Sequence, residues 1–169
     1  MNFTNQEHSK LEQNRSEDAV FKKNIDRYFS NNMPNHEVIS VCSTPYIIKI
    51  FNSSARKIVL NQKDLANAVA DVKAGNRHHR GGHFIDKNEI YKLPEAIRNP
   101  VLILKGNTQN ENSIILFTDM VNKKGENVFV PISLDRQKGK ISVINTLYGK
   151  KNISHFISNY LSDILAVNK

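Results

Sequence analysis

A single cysteine, Cys42, stands in a chain of 169 residues. That excludes an internal disulfide framework and fits a reducing compartment, although an exported toxin-like domain also manages without disulfides. No apolar run approaches the roughly 20 residues that a membrane-crossing helix needs. The polar start, Met1 to Glu17, lacks the hydrophobic segment of a secretory signal. A soluble chain with no membrane partner is expected, working in a cytoplasm, its own or that of a cell into which it is delivered. There is no Gly-x-x-x-x-Gly-Lys phosphate loop and no dinucleotide fingerprint, so nucleotide hydrolysis has no support. Acidic residues are in the minority: 16 Asp plus Glu against 24 Lys plus Arg give a formal charge of +8, which favours an anionic partner such as nucleic acid.

Residues 1–16 have Phe3 and Leu11 as their only large apolar groups, and read as a flexible polar lead to one domain over 17–169. From Glu17 to Ser30 the positions of Ala19, Val20, Phe21, Ile25, Tyr28 and Phe29 predict an amphipathic helix, with Ser16 placed to cap it and Met33-Pro34 beyond its end. Val38 to Val41 reads as a strand. Ser43-Thr44-Pro45 then supplies a cap followed by proline at the first helical position, opening a short helix over Tyr46 to Phe51. Lys57 to Leu60 is a second strand, and Gln62 to Ala74 a helix stopped by Gly75. Asp86 to Arg98 reads as helix with Ile90, Leu93 and Ile97 on one stripe, Pro94 either sitting in a first turn or forcing a kink.

The second half is different in character. Val101 to Leu104, Ser113 to Thr118, Asn127 to Leu134 and Ile141 to Tyr148 are apolar or alternating runs, separated by Gly106-Asn107, Lys124-Gly125 and Lys138-Gly139. A four-stranded antiparallel meander is expected. Ile153 to Val167 carries Phe156, Ile157, Tyr160, Leu161, Ile164 and Leu165 on one helical face, predicting a closing C-terminal helix. The class is α+β, with helices packed on the meander.

Between the halves lies Arg77-His78-His79-Arg80-Gly81-Gly82-His83, where glycines let the backbone bend and near-neutral proton donors meet guanidinium groups. That combination suits a phosphodiester. His79 and His83 have the spacing of a helical zinc pair, but Gly81-Gly82 argues against a helix and no glutamate follows the first histidine, so no metal is expected. Cys42 at the mouth of the Thr-Pro helix could be a nucleophile; a small core cysteine is the commoner case.

The series Val41-Cys42-Ser43-Thr44-Pro45 with Ile48 and Phe51, then Lys57 to Leu60, then His83-Phe84-Ile85 leading through Ile90 to Leu93-Pro94-Glu95-Ala96-Ile97-Arg98-Asn99-Pro100-Val101 resembles phage-associated domains of the barnase, EndoU, colicin and RelE-like nuclease group. It is similar in particular to the domain found at the C-terminus of MuF-type phage head and polymorphic toxin proteins. Ser113 to Phe117, Asn127 to Ile132 and Ile141 to Tyr148 follow in the same order, so the resemblance spans roughly residues 36–165. It departs where Cys42-Ser43 replaces a glycine before the Thr-Pro element, and where Asn52-Ser53-Ser54 replaces one after the helix. The resemblance implies helices on a four-stranded antiparallel sheet and a metal-independent ribonuclease ancestry, with no cofactor.

Such cleavage needs a base for the 2′-hydroxyl, an acid for the leaving 5′-oxygen, and donors on the phosphate. By its family-like position ahead of Pro94, His83 is the candidate acid or base; supporting the helix start is its other reading. Arg77 and Arg80 would hold phosphate with their planar forks, and are at least as readable as solvated charges; one of His78 and His79, with His79 the candidate, would assist, since two adjacent histidines seldom both point into one site. Along an extended last strand Thr146, Tyr148 and Lys150 share one face and Asn145 the other, offering a hydroxyl, a phenol and an ammonium to a phosphate. The alternative is a half-buried Tyr148 on an ordinary sheet face. Arg136, Lys138, Lys140, Lys150 and Lys151, with no acidic residue among them, would form a salt-sensitive RNA-binding rim. His155 reads as a packed or surface residue.

Two functions stay open at this level. One is a toxin-like or phage-associated ribonuclease, for which a protein antidote or immunity partner is expected. The other is a catalytically silent relative binding RNA or protein.

Overall fold

The computed structural model describes residues 5–51, 53–70, 83–106, 112–136, 140–158 and 164–167. Helix α1 (Asn5–Phe29) leads into strand β1 (Val38–Ser43), helix α2 (Tyr46–Lys49), strand β2 (Lys57–Asn61) and helix α3 (Gln62–Val69). Helices α4 (Lys87–Ile90) and α5 (Leu93–Arg98) follow, then strands β3 (Leu102–Lys105), β4 (Ser113–Val121), β5 (Asn127–Asp135), β6 (Ile141–Ile144) and β7 (Tyr148–Lys150). Helix α6 (Ile153–Ser158) and strand β8 (Ile164–Val167) complete the described order. No helix among the described residues is long and apolar enough to cross a membrane.

The expected four-stranded antiparallel meander is overturned. The fold is α+β, but it is built on an eight-stranded mixed sheet in the order β1-β2-β6-β5-β4-β3-β8, with β7 paired to β5. Antiparallel β3, β4, β5 and β6 form only its middle. The β1–β2 hairpin joins through a parallel ladder, Lys57 to Leu60 against Ile141 to Ile144. A parallel pairing needs a long crossover, and no local turn signal announces one. The expected C-terminal helix is also corrected: Ile153–Ser158 is helical, but Ile164–Val167 pairs antiparallel with β3. A strand edge left open on β3 would expose a row of unpaired backbone groups, and short apolar runs satisfy helical and strand periodicity alike.

Two apolar layers follow from strand alternation. One face carries Ile103, Ile114, Leu116, Val128, Val130 and Ile132 against Phe21 and Ile25 of α1, Leu65 of α3, and Ile90, Leu93 and Ile97 of α4 and α5. The other holds Leu102, Leu104, Ile115, Phe117 and Phe129, with Tyr148, Ile153 and Ile164 packed on them. The α1 helix begins at Asn5, so most of the polar lead is helical and Ser16 is an interior residue rather than a cap. Asn31, at φ 55°, turns the chain after α1. Thr44 does not cap α2: Pro45 holds that position, no side chain bonds to the helix start, and the Thr44 hydroxyl is buried. After α2, Asp135 accepts hydrogen bonds from the Ser53 hydroxyl (3.0 Å) and the Ala55 N–H (2.8 Å). A carboxylate from β5 thus fixes the loop in which a glycine was missing.

The α1 helix is fastened at Arg98, whose guanidinium donates to both carboxylate oxygens of Asp18, at 2.7 and 3.1 Å, with Glu17 at 3.5 Å. The Arg98 side chain is only 10% exposed and Asp18 31%. Removing one partner of such a pair strands a desolvated charge, so Arg98→Ala should cost about 2–3 kcal/mol. Urea unfolding measures this; a shift within about 0.5 kcal/mol, usual for surface positions, would show the pair to be solvent-like.

Candidate functional site

The segment His83-Phe84-Ile85 runs between the end of α3 and the β4–β5 turn. The His83 and Ile85 N–H groups donate to the Asn67 and Ala68 carbonyls (3.3 and 3.0 Å), and the Lys123 N–H donates to the Phe84 carbonyl (2.9 Å). On the other side stands β7, delivered by the β5 register: Asn127 opposite Lys150, Val128 opposite Gly149, Phe129 opposite Tyr148. The Phe129 and Tyr148 rings stack, 5.8 Å apart and within 8° of parallel, and Tyr148 lies 5.9 Å from the His83 imidazole at 51°. A row of rings running back to Phe117 therefore holds the imidazole at the edge of the second apolar layer.

Two further groups complete the cluster, Asn122 and Glu126, which flank the turn at Gly125 (φ 72°). Asn122 is 5% exposed. Its Oδ1 accepts from the Lys124 and Glu126 N–H groups (2.9 and 3.0 Å). Its Nδ2 donates to the His83 carbonyl (3.2 Å) and to a Glu126 carboxylate oxygen (2.8 Å). One amide thus ties the His83 segment to Glu126. The carboxylate lies over the Gly149 backbone, since a Cβ placed there would meet Glu126 Oε2 at 2.8 Å and Asn122 Nδ2 at 2.3 Å. The Lys150 ammonium is 5.5 Å from the Tyr148 ring centre.

Burial pushes the His83 pKa below the ordinary imidazole value, and the charge of Glu126 opposes that in part. The ring is therefore neutral at pH 7 and able to accept a proton. The Glu126 charge acts on the ring and would stabilise the resulting imidazolium, the Tyr148 ring flanks it, and the Lys150 ammonium flanks Tyr148 in turn.

The other sequence-level candidates are placed differently. Asn145 exchanges side-chain hydrogen bonds with Ser133 (2.9 and 3.2 Å), a pin between β5 and the segment after β6. Thr146 sits half-buried on the connection to β7, next to Leu147, which enters the helix-side core. Residues 145–147 are not strand, so the even alternation expected up to Lys150 is interrupted. Arg136, exposed past the far end of β5, is roughly 23 Å of strand away from Phe129 at about 3.3 Å per residue. Lys140 shares that far end, so the described members of the basic rim are divided between two ends of the sheet, and Lys138 lies outside the described residues. Arg77, His78, His79 and Arg80 lie outside the described residues. His155 is exposed on α6. Cys42 is 2% exposed, and burial pushes its thiol up to about 12, so no thiolate nucleophile forms at neutral pH.

Residues 74–169 match the family described as the phage MuF C-terminal domain. The chain belongs to that family. No curated protein and no solved structure matches it. His83, Asn122, Glu126, Tyr148, Gly149 and Lys150 all fall inside the matched MuF C-terminal stretch, whereas α1 to α3 precede it. A groove of about 690 Å³ on the MuF chain lies elsewhere, between Lys10 to Asn14 of α1, the Ser43–Lys49 segment and the end of α5. Its wall mixes Lys10 and Lys49 with Glu95 and the carboxylate-bound Arg98, and carries no histidine. Acid–base chemistry favours the His83 cluster.

Sequence reasoning missed Asn122 and Glu126. Asn122 to Glu126 carries the plain signal of a turn, Lys124-Gly125, and that signal masks their second role. Only the pairing of β7 with β5 shows that the turn faces His83.

Proposed function

We propose that this MuF C-terminal domain is a metal-independent ribonuclease that cleaves RNA by transesterification at His83. The observation that carries the reading is a neutral, half-buried imidazole that feels the Glu126 charge and lies 5.9 Å from the Tyr148 ring, which the Lys150 ammonium flanks at 5.5 Å. In this reading His83 removes the 2′-hydroxyl proton and the 2′-oxygen attacks phosphorus. Glu126 stabilises the imidazolium, Lys150 neutralises the phosphate oxygens, and Tyr148 gives its proton to the departing 5′-oxygen. The products are a 2′,3′-cyclic phosphate and a free 5′-hydroxyl. A toxin role, with a protein antidote, is part of the same proposal.

The test is incubation of purified protein with total bacterial RNA in EDTA. Wild type is expected to cleave, leaving cyclic-phosphate ends, and Lys150→Ala to cleave about 10²-fold more slowly, the usual scale for one transition-state donor. Intact RNA across pH 5 to 9 from folded protein would overturn the reading and leave a silent binding module.

A further inference from the structure

Phe84 is the residue after His83, and its backbone is left-handed, at φ 52°. A bulky side chain rarely adopts that region, and strain of this kind persists only where the surroundings enforce it. Here they do, through the hydrogen bonds of the Phe84 carbonyl to Lys123 and of the flanking residues to α3 and Asn122. The ring joins neither apolar layer of the sheet. It is half-exposed, with the Lys124 ammonium 3.8 Å from its centre, whereas the other cation–ring contacts lie at 5.5 to 5.8 Å. The ring is thus held in a strained conformation, outside both apolar layers and under the ammonium of an exposed lysine.

We propose that Phe84 is a nucleobase platform beside the reacting phosphate, and that Lys124 yields its ring face to the base and moves to an adjacent phosphate. Stacking of a base on an aromatic ring outweighs a solvent-exposed cation–π contact, so the exchange favours the base. Phe84 directly follows His83, and consecutive Cα atoms are about 3.8 Å apart, so a base on Phe84 would lie on the same short segment that carries the imidazole. In a duplex both faces of each base are stacked on neighbours, and the platform therefore selects single-stranded RNA. The inference rests on the ribonuclease reading for its catalytic meaning, but the platform is testable by binding alone.

The chain contains no tryptophan, so Phe84→Trp supplies a sole reporter at the platform. It is made in a His83→Ala background to prevent cleavage, with circular dichroism to verify the fold. A short single-stranded oligoribonucleotide should quench its fluorescence, and a duplex of the same length should not. In the same background Phe84→Leu should weaken single-strand binding roughly tenfold and leave duplex binding unchanged. Lys124→Ala should lower the salt dependence of binding by about one phosphate contact. Absence of quenching, or equal single-strand binding by Phe84 and Phe84→Leu proteins, overturns the platform. Quenching by RNA that the wild type does not cleave keeps the platform and overturns only the nuclease. Cleavage without quenching does the reverse.

Discussion

His83→Ala should lower RNA cleavage by about 10²- to 10⁴-fold, the range that one positioned acid or base supplies, with little effect on the fold at pH 7. Only the His83 backbone is tied by the described hydrogen bonds, to Asn67 and Asn122, and alanine keeps both. The pH profile carries the sharper expectation. Burial depresses the His83 pKa below 6.5, so a reaction needing the neutral ring should lose rate only below that pH, on an acidic limb. Glu126 pulls the pKa upward, so Glu126→Gln should move the limb to still lower pH while reducing the rate. A limb that stays in place in Glu126→Gln would remove the carboxylate from the mechanism. The same depression makes the unfolded chain the better proton acceptor. Stability linked to His83 is therefore whole above the ordinary imidazole pKa and is lost as pH falls through the depressed one. His83→Gln abolishes that loss.

Much of the central sheet could be read from residues 101–148, where β3 and β5 occur within a residue of their expected positions and β4 begins where expected and runs three residues further. Apolar runs broken by glycine turns are local information, and local pairing follows from them. What was not legible is non-local. The parallel contact of β2 with β6 joins segments with three helices and three strands between them among the described residues, and nothing in Lys57 to Leu60 names its partner. The kink at 145–147, which divides one expected strand into β6 and β7, depends on both halves sharing the same edge of β5. The candidate site divides in the same way. His83, Tyr148 and Lys150 carry recognisable chemistry, and the structure gathers them. Arg136 and Asn145 carry equally suitable groups, but the sheet assigns one to its far end and the other to a pin on Ser133. Residue type proposes chemistry; register decides which groups meet.

Gly149→Ala tests that gathering directly and should be the most damaging single methyl addition in the site. The new Cβ would stand 2.3 Å from Asn122 Nδ2 and 2.8 Å from Glu126 Oε2. A flexible exposed side chain would swing aside, but Asn122 is 5% exposed and its amide is engaged at both ends. The methyl must displace the amide that joins the His83 segment to Glu126. Overpacking of this kind costs about 1–3 kcal/mol. A displacement near 1 Å at a reacting group costs about 10²-fold in rate, so cleavage should fall much further than stability. Asn122→Ala should itself cost about 2 kcal/mol, because it leaves the His83 carbonyl and two turn N–H groups without their partner. It also removes the nearer of the two side chains with which the methyl collides. The Asn122→Ala/Gly149→Ala protein should therefore be more stable than the sum of the single losses predicts, by about 1 kcal/mol or more. Strict additivity in urea unfolding would mean that β7 moves away from β5 to admit the methyl, and that Asn122 does not hold the site together.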